Sequence, residues 1–292
     1  MTREAFCPGH VTALFYAPEP GPSPESTGSR GAGFCVSKGA RARVSAITGG
    51  RGGVSPVGDT RIAPVVATAL GGYLELSDGS VELQLELDLE LPVGHGFGMS
   101  GAMTLAALTA AEGELGLAGD DGSRLLALAH SAEVEGRTGL GDVVAQWGGG
   151  IDLRVRQGIP PSGEVLRREE GGQILLAWSG IPLHTRSVLS DPGARERLRS
   201  AALPLLDDMD AAPSMDRLLE AGWAFAREAG LAGEAVERMV GICSRHGLAS
   251  QVMLGNSVFA TGDLEAMGEA LTVEGFSWTI VEFDNRGVRL LD

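Results

Sequence analysis

Pro92-Val93-Gly94-His95-Gly96-Phe97-Gly98-Met99-Ser100-Gly101-Ala102 is the stretch where the chain changes period. Before it, Val81–Leu91 reads VELQLELDLEL, with apolar and acidic side chains in alternation. That pattern predicts a strand with one buried and one solvated face. After it, Met99–Leu117 is rich in Ala, Leu and Met and lacks proline, which predicts a mostly buried helix. A glycine-rich turn from strand to helix lets backbone N–H groups come close to a ligand. The helix start adds unpaired N–H groups and the positive end of its dipole. Together these outline a phosphate site, with Ser100 in the first turn placed to reach Mg²⁺ or a phosphate oxygen. A tight strand-to-helix connection explains the same glycines without any ligand, so both readings stand on these residues alone. A dinucleotide fingerprint does not fit. A G-x-G-x-x-G begun at Gly94 puts its third glycine at Met99, and no acid closes a second strand about 20 residues on.

The chain carries a formal net charge of −15, which argues against nucleic-acid and anionic-membrane partners. An anionic substrate therefore needs a locally positive pocket. Lys38 is the only lysine, and no G-x-x-x-x-G-K-[ST] occurs. Any phosphate grip must use backbone N–H groups, a helix start, arginine or a metal. Cys7, Cys35 and Cys243 are odd in number, far apart and outside any C-x-x-C, so neither a disulfide framework nor a zinc site is expected. No signal-peptide pattern opens the chain and no apolar run reaches about 18 residues. The expectation is a reducing, cytoplasmic setting.

Around the glycine turn, Ala5–Ala17 and Gly33–Ile47 read as extended, with a mobile loop rich in Pro, Gly and Ser over Pro18–Gly33. Helices are expected at Ser123–Glu135 and Gly139–Gln146, then a strand at Ile151–Arg156. The cluster Gly158–Gly163 is the candidate lobe boundary. Beyond it, strands are expected at Gln173–Trp178, Gln251–Leu254, Val258–Thr261, Trp278–Phe283 and Val288–Leu291. Helices are expected at Gly193–Ala201, Met215–Ala229, Gly233–His246 and Leu264–Leu271. Strands interleaved with helices imply an α+β arrangement.

A second chemical element is His130-Ser131-Ala132-Glu133-Val134-Glu135-Gly136-Arg137-Thr138-Gly139-Leu140-Gly141-Asp142. Two carboxylates, Glu133 and Asp142, flank a glycine-rich turn. In phosphoryl transfer one carboxylate can hold Mg²⁺ and another can orient or accept the proton of the attacking hydroxyl. His130, three residues before Glu133, falls on the same helical side. Asp142 before an apolar run also reads as a plain helix cap, and Glu135 reads as an exposed charge.

Taken in order, these segments resemble the motif set of the GHMP kinases. Phe6-Cys7-Pro8-Gly9-His10-Val11-Thr12 stands in place of the first motif, with His10 where that motif has lysine. Pro92–Ala102 resembles the second motif. Leu140-Gly141-Asp142 with Trp147-Gly148-Gly149 resembles the catalytic aspartate segment, and Ala249–Ser257 is a weak third motif. The combination of P-G-H-V-T at 8–12, G-S-R-G-A-G-F at 28–34, G-F-G-M-S-G-A at 96–102 and A-E-V-E-G-R-T-G-L-G-D at 132–142 is similar to the archaeal pantoate kinase group.

The resemblance implies an α+β fold of two lobes. The first (1–160) is like ribosomal S5 domain 2 and the second (161–292) is ferredoxin-like, with ATP between them. It implies ATP-dependent phosphorylation of (R)-pantoate to 4-phosphopantoate on the archaeal route to coenzyme A, and a homodimer. Pro92, Gly94, Gly96, Phe97, Gly98, Met99, Ser100, Gly101 and Ala102 would hold the nucleotide. Ser100 and Glu133 would hold Mg²⁺, and Asp142 would face the acceptor hydroxyl. Ser29, His130 and Arg154 would bind substrate, with Arg156 the rival of Arg154, and Arg30 and Arg137 as sources of phosphate charge. Other readings are a GHMP kinase for mevalonate, homoserine or a sugar, a decarboxylase of the same fold, and a non-catalytic nucleotide-binding protein.

Overall fold

The computed structural model describes residues 2–50, 52–77, 81–119, 121–181, 192–209 and 213–291. Two long strands frame the molecule, β1 (Thr2–Tyr16) and β2 (Arg30–Thr48), paired antiparallel along their lengths. β2 is long enough that its ends have different neighbours. Its first part, Gly31–Phe34, pairs with β5 (Ile151–Arg156). Its last part, Ala40–Thr48, pairs with β4 (Val81–Leu89). β3 (Gly53–Pro56) lies parallel to β4, and β6 (Glu164–Arg168) pairs with β5. The final strand β11 (Arg289–Leu291) returns to the free side of β1. The first sheet thus takes strands from both sides of residue 160 and closes with the last residues, so the division at 160 is not a clean break in the chain.

Three helices pack on this sheet, α1 (Pro64–Leu74), α2 (Met99–Leu115) and α4 (Asp142–Gly148), and α3 (Ser123–Gly136) packs against all three. α2 packs against both β1 and β2. Eleven of its residues are buried, which is why it has no polar stripe in sequence. α1 was not legible in the sequence. It has two adjacent glycines and β-branched valines, both poor helix formers. Its start is marked only by Pro64 in the first turn.

The second sheet contains β7 (Gln173–Trp178), β8 (Gly247–Gln251), β9 (Ser257–Gly262) and β10 (Ser277–Glu282) in the order β10-β7-β9-β8, all antiparallel. With helices after β7 and between β9 and β10, this is the ferredoxin-like order expected. Those helices are α5 (Pro192–Asp207), α6 (Met215–Glu228), α7 (Glu234–Cys243) and α8 (Leu264–Val273). Several boundaries differ from expectation. α5 runs on to Asp207 instead of ending at Ala201, α7 stops at Cys243, and β8 spans Gly247–Gln251, so Met253 and Leu254 lie in a turn rather than a strand. In the Pro18–Gly33 segment, the hydroxyl of Ser26 donates to the Ser23 carbonyl and Ser26 Oγ accepts from the Ser23 N–H, organising a short 3₁₀ turn at Pro24–Ser26.

The two sheets share a core. Phe34 on β2 is fully buried, with its ring 5.3 Å from Phe259 on β9 and 5.6 Å from Phe283. Phe97 in the glycine turn meets Trp178 on β7 edge-on at 5.8 Å. Such aromatic pairs add about 0.5–1.5 kcal/mol each beyond their burial. The Phe97–Trp178 pair fixes the glycine turn against the second sheet.

Candidate active site

The glycine turn is pinned on three sides. The His10 N–H donates to the Phe97 carbonyl at 3.0 Å. The Gln146 amide, from α4, donates to the carbonyls of Gly98 at 2.9 Å and Pro8 at 3.0 Å. The hydroxyl of Ser257, from β9, donates to the His95 carbonyl. Gly98 caps α2 in the left-handed region, φ 62°, which a side chain strains to adopt. That bend turns the chain from strand direction into helix and presents the first N–H groups of α2 to the cleft.

Across the cleft, α3 contributes Glu133. It is 2% exposed and accepts a hydrogen bond from the hydroxyl of Ser100. Burial, only partly offset by that bond, pushes its carboxyl up to about 7. No basic side chain pairs with it among the described residues.

α4 begins at Asp142, and its N-cap is Gly141, with no side-chain capping bond. The cap reading of Asp142 is therefore not what the fold adopts. Its Oδ1 lies 2.7 Å from His10 Nδ1 and 3.5 Å from the hydroxyl of Thr12. His10 and Thr12 share one side of β1, and register shifts at Pro8/Gly9 and Thr12/Leu14 bracket the pair. Such irregularities re-aim side chains beside sites. The other ring nitrogen, Nε2, lies 2.7 Å from Oδ1 of the fully buried Asp152 on β5. Asp152 accepts in turn from the guanidinium of Arg154, two residues along the same strand face. Burial acts on Asp152 to raise its pKa, but Arg154 and His10 outweigh it and hold the carboxyl below the usual range. Burial likewise favours a neutral His10, and the charge of Asp152 with both carboxylate hydrogen bonds overrides it, so its pKa is raised.

Arg154 is 2% exposed and borders the cleft. Its Nε is buried without a hydrogen-bond partner. Arg156, its rival from the sequence, points outward and pairs with Glu164 at 3.5 Å. A Cβ on Gly141 would stand 2.7 Å from Arg154 Nε and 2.6 Å from Ser29 Oγ, so this turn passes close only because it carries no side chain.

One cleft of about 370 Å³ collects most of these groups. Gly94, Gly96, Phe97, Gly98, Met99 and Ser100 of the glycine turn line it together with Ser29, Arg154, Asp142, Thr12 and Arg137. Met253 and Leu254, from the weak third motif, close it from the second sheet. Glu133 sits directly behind Ser100. Pro92, Gly101 and Ala102 shape the turn but are not part of the lining. His130 is also outside the lining. It is 1% exposed, with Nε2 2.8 Å from the Thr27 carbonyl, so it holds the segment leading to Ser29. Arg30 lies elsewhere, against the Tyr16 hydroxyl at 3.2 Å. Lys38 reaches Thr279 instead of the cleft. Sequence reasoning missed Asp152. Its only signal was an acid at the buried position of a strand, two residues from an arginine.

The arrangement can grip phosphates with backbone N–H groups, hold a divalent ion between a hydroxyl and a carboxylate, and aim a second carboxylate at an alcohol. Among the described residues no group of three or more His, Cys, Asp or Glu could form a metal site of its own. No helix there is long and apolar enough to cross a membrane.

Comparison with known proteins gives a consistent picture. Residues 65–150 match the model of the GHMP kinases N terminal domain. The chain is 30% identical over 274 residues to the pantoate kinase of Methanospirillum hungatei JF-1, covering 90% of this chain and 88% of the relative. It is 25% identical over 271 residues to the pantoate kinase of Methanocaldococcus jannaschii, covering 92% and 96%. Among solved structures it resembles a phosphotransferase related to the coenzyme A biosynthesis pathway, with a TM-score of 0.85, 26% identity, and coverage of 100% of this chain and 99% of that one.

Proposed function

The chain belongs to the pantoate kinase family of the GHMP kinases, and from that premise we propose that it transfers the γ-phosphoryl group of ATP to the terminal hydroxyl of (R)-pantoate, giving 4-phosphopantoate for coenzyme A biosynthesis. The observation that carries the residue assignments is the convergence of Ser29, Ser100, Asp142 and Arg154 on one cleft. The backbone of Gly94–Ser100 and the start of α2 supply the triphosphate site without lysine. Phosphoryl transfer has a loose transition state, so position and charge matter more than a strong base.

Magnesium suits the residues present. Ser100 and Glu133 offer two hard oxygen ligands beside the phosphate turn, and Mg²⁺ commonly takes few protein oxygens plus phosphates and water. The buried Glu133 also lacks a basic partner among the described residues, and a divalent ion would supply one. When bound, the ion neutralises charge on the triphosphate.

At the acceptor end, the guanidinium of Arg154 takes the carboxylate of pantoate and the Ser29 hydroxyl adds a hydrogen bond. His130 acts one step removed, by holding Thr27 and hence Ser29. Asp142 receives the terminal hydroxyl and orients it toward the γ-phosphorus. Phe15, Leu140 and Met253 give the cleft apolar walls that limit water around the reacting groups. The three cysteines are free and buried, which suits a reducing cytoplasm. ADP release measured with pantoate, mevalonate and homoserine at equal concentrations tests the reading. Turnover selective for pantoate supports it, and preference for another acceptor rejects it.

A further inference from the structure

His10 is fully buried, yet both its ring nitrogens lie 2.7 Å from a carboxylate oxygen, one from Asp142 and one from Asp152. A neutral imidazole has one N–H and one bare lone pair. In either neutral tautomer a lone pair would face a carboxylate at contact distance, away from water. An imidazolium donates at both ends and satisfies both oxygens. We infer that His10 stands as an imidazolium clamped between Asp142 and Asp152, and that it is a positioning residue which fixes Asp142 through Oδ1 and leaves Oδ2 to meet the acceptor hydroxyl.

Three observations support this assignment. First, the cation is balanced. Asp152 is fully buried and shared between His10 and Arg154, so the row Asp142, His10, Asp152, Arg154 alternates in sign. Second, the groups facing the ring leave no other proton source. These are Asp142 from α4, Asp152 from β5 and Thr12 on its own strand. Cys35 pairs with His10 in register on β2, and burial raises its thiol well above the usual value. Arg154 and Arg167 lie beyond Asp152 and favour its ionised form after burial is counted against it. Third, the direction of the His10 shift agrees. Burial opposes the cation, but the charge and hydrogen bonds of the two aspartates raise its pKa.

The consequence is mechanical as well as electrostatic. Asp142 side-chain atoms are 28% exposed and would otherwise rotate freely at the cleft. A charge-assisted bond from a rigid ring holds one oxygen, and that ring is itself held from behind. With Oδ1 held by the ring, the work of Asp142 is orientation. This inference rests on the reading of Asp142 as the carboxylate that meets the acceptor.

The test combines nitrogen-15 histidine NMR with kinetics on the full chain. In the unliganded wild-type protein at about pH 8, His10, assigned from the signal lost in His10→Gln, should show both ring nitrogens protonated. Asp152→Asn should shift it to a neutral tautomer at that pH and add an alkaline fall in kcat that the wild type lacks. His10→Gln should lower kcat on the order of 10²-fold with the KM for ATP nearly unchanged, the pattern of a misplaced group. His10→Lys, which keeps a cation but cannot reach both aspartates along one rigid ring, should recover part of the loss. A neutral wild-type ring, or full kcat in a folded His10→Gln protein, overturns the inference and leaves the kinase reading intact. If His10→Gln does not fold, Asp152→Asn carries the same decision through its ring signal and pH profile. Absence of pantoate turnover by the wild type overturns the kinase reading, and with it the positioning role.

Discussion

The hydroxyl of Ser100 donates to Oε1 of Glu133 across the packed faces of α2 and α3. The two residues are 33 apart in sequence, and that single contact joins the phosphate turn to the acid-rich helix. It also leaves an ionisable group almost wholly out of water, which has a measurable cost.

Burial raises the Glu133 carboxyl to about 7 from a reference of 4.5. The folded state therefore holds this proton more tightly than the unfolded state. Its stabilising contribution is full below about pH 4.5 and is lost as the pH rises through about 7. Glu133→Gln removes this dependence. Chemical denaturation of the unliganded proteins should show the variant gaining on the wild type between about pH 5 and pH 8, by up to roughly 3 kcal/mol. The same variant should lose most Mg-ATP-dependent turnover. Parallel stability profiles for the two proteins would place Glu133 in contact with water or a cation.

Arg154→Ala should weaken pantoate binding by about 1.5–3 kcal/mol, the worth of a charge-assisted contact, with the KM for ATP little changed. Because Asp152 would then keep only His10 as a partner, the protein should also lose stability. Arg154→Lys should not restore affinity, since an ammonium cannot reproduce the planar fork. Pantoate KM values for the two variants check this.

Gly98→Ala forces a side chain into the left-handed conformation at φ 62° and sets a Cβ 3.0 Å from Gln146 Nε2 and 3.1 Å from His10 Cβ. The backbone strain alone is worth roughly 1–2 kcal/mol. The expected result is a lower melting temperature and a raised KM for ATP. Calorimetry and ATP saturation curves read the two effects separately.

The sequence disclosed the glycine turn, the flanking strand and helix, and the order of the second sheet because each follows a local period. Its motif resemblance selects Ser100, Glu133, Asp142, Ser29 and Arg154. Asp152 was invisible because its partner His10 lies 142 residues away, and the two meet only across β2, which pairs with β1 on one side and β5 on the other and carries Gly33 where a Cβ would stand 2.6 Å from His10 Nε2. The cap reading of Asp142 was reasonable from local pattern, and it lost because a buried imidazole outbids a helix terminus for the same oxygen. α1 escaped notice because its glycines and valines hide a helix that packing against α2 and α3 sustains. His130 was placed in the site by resemblance; burial puts it behind the segment that carries Ser29.

Phe34 supports the site from the seam between the sheets, where it meets Phe259 and Phe283. Phe34→Ala should cost about 3–5 kcal/mol by cavity formation and lost aromatic contact. Its effect on activity at low temperature should be small in the fraction that remains folded. Urea titration combined with specific activity per folded molecule separates the two.

Phosphorus NMR of wild-type protein and Asp142→Ala, each incubated with pantoate and Mg-ATP, addresses the central claim most directly. The wild type should produce ADP and a phosphate monoester on the terminal oxygen of pantoate, and the variant should be slower by on the order of 10²-fold or more. Near-normal product formation by Asp142→Ala, or no phosphopantoate from the wild type, would contradict the account.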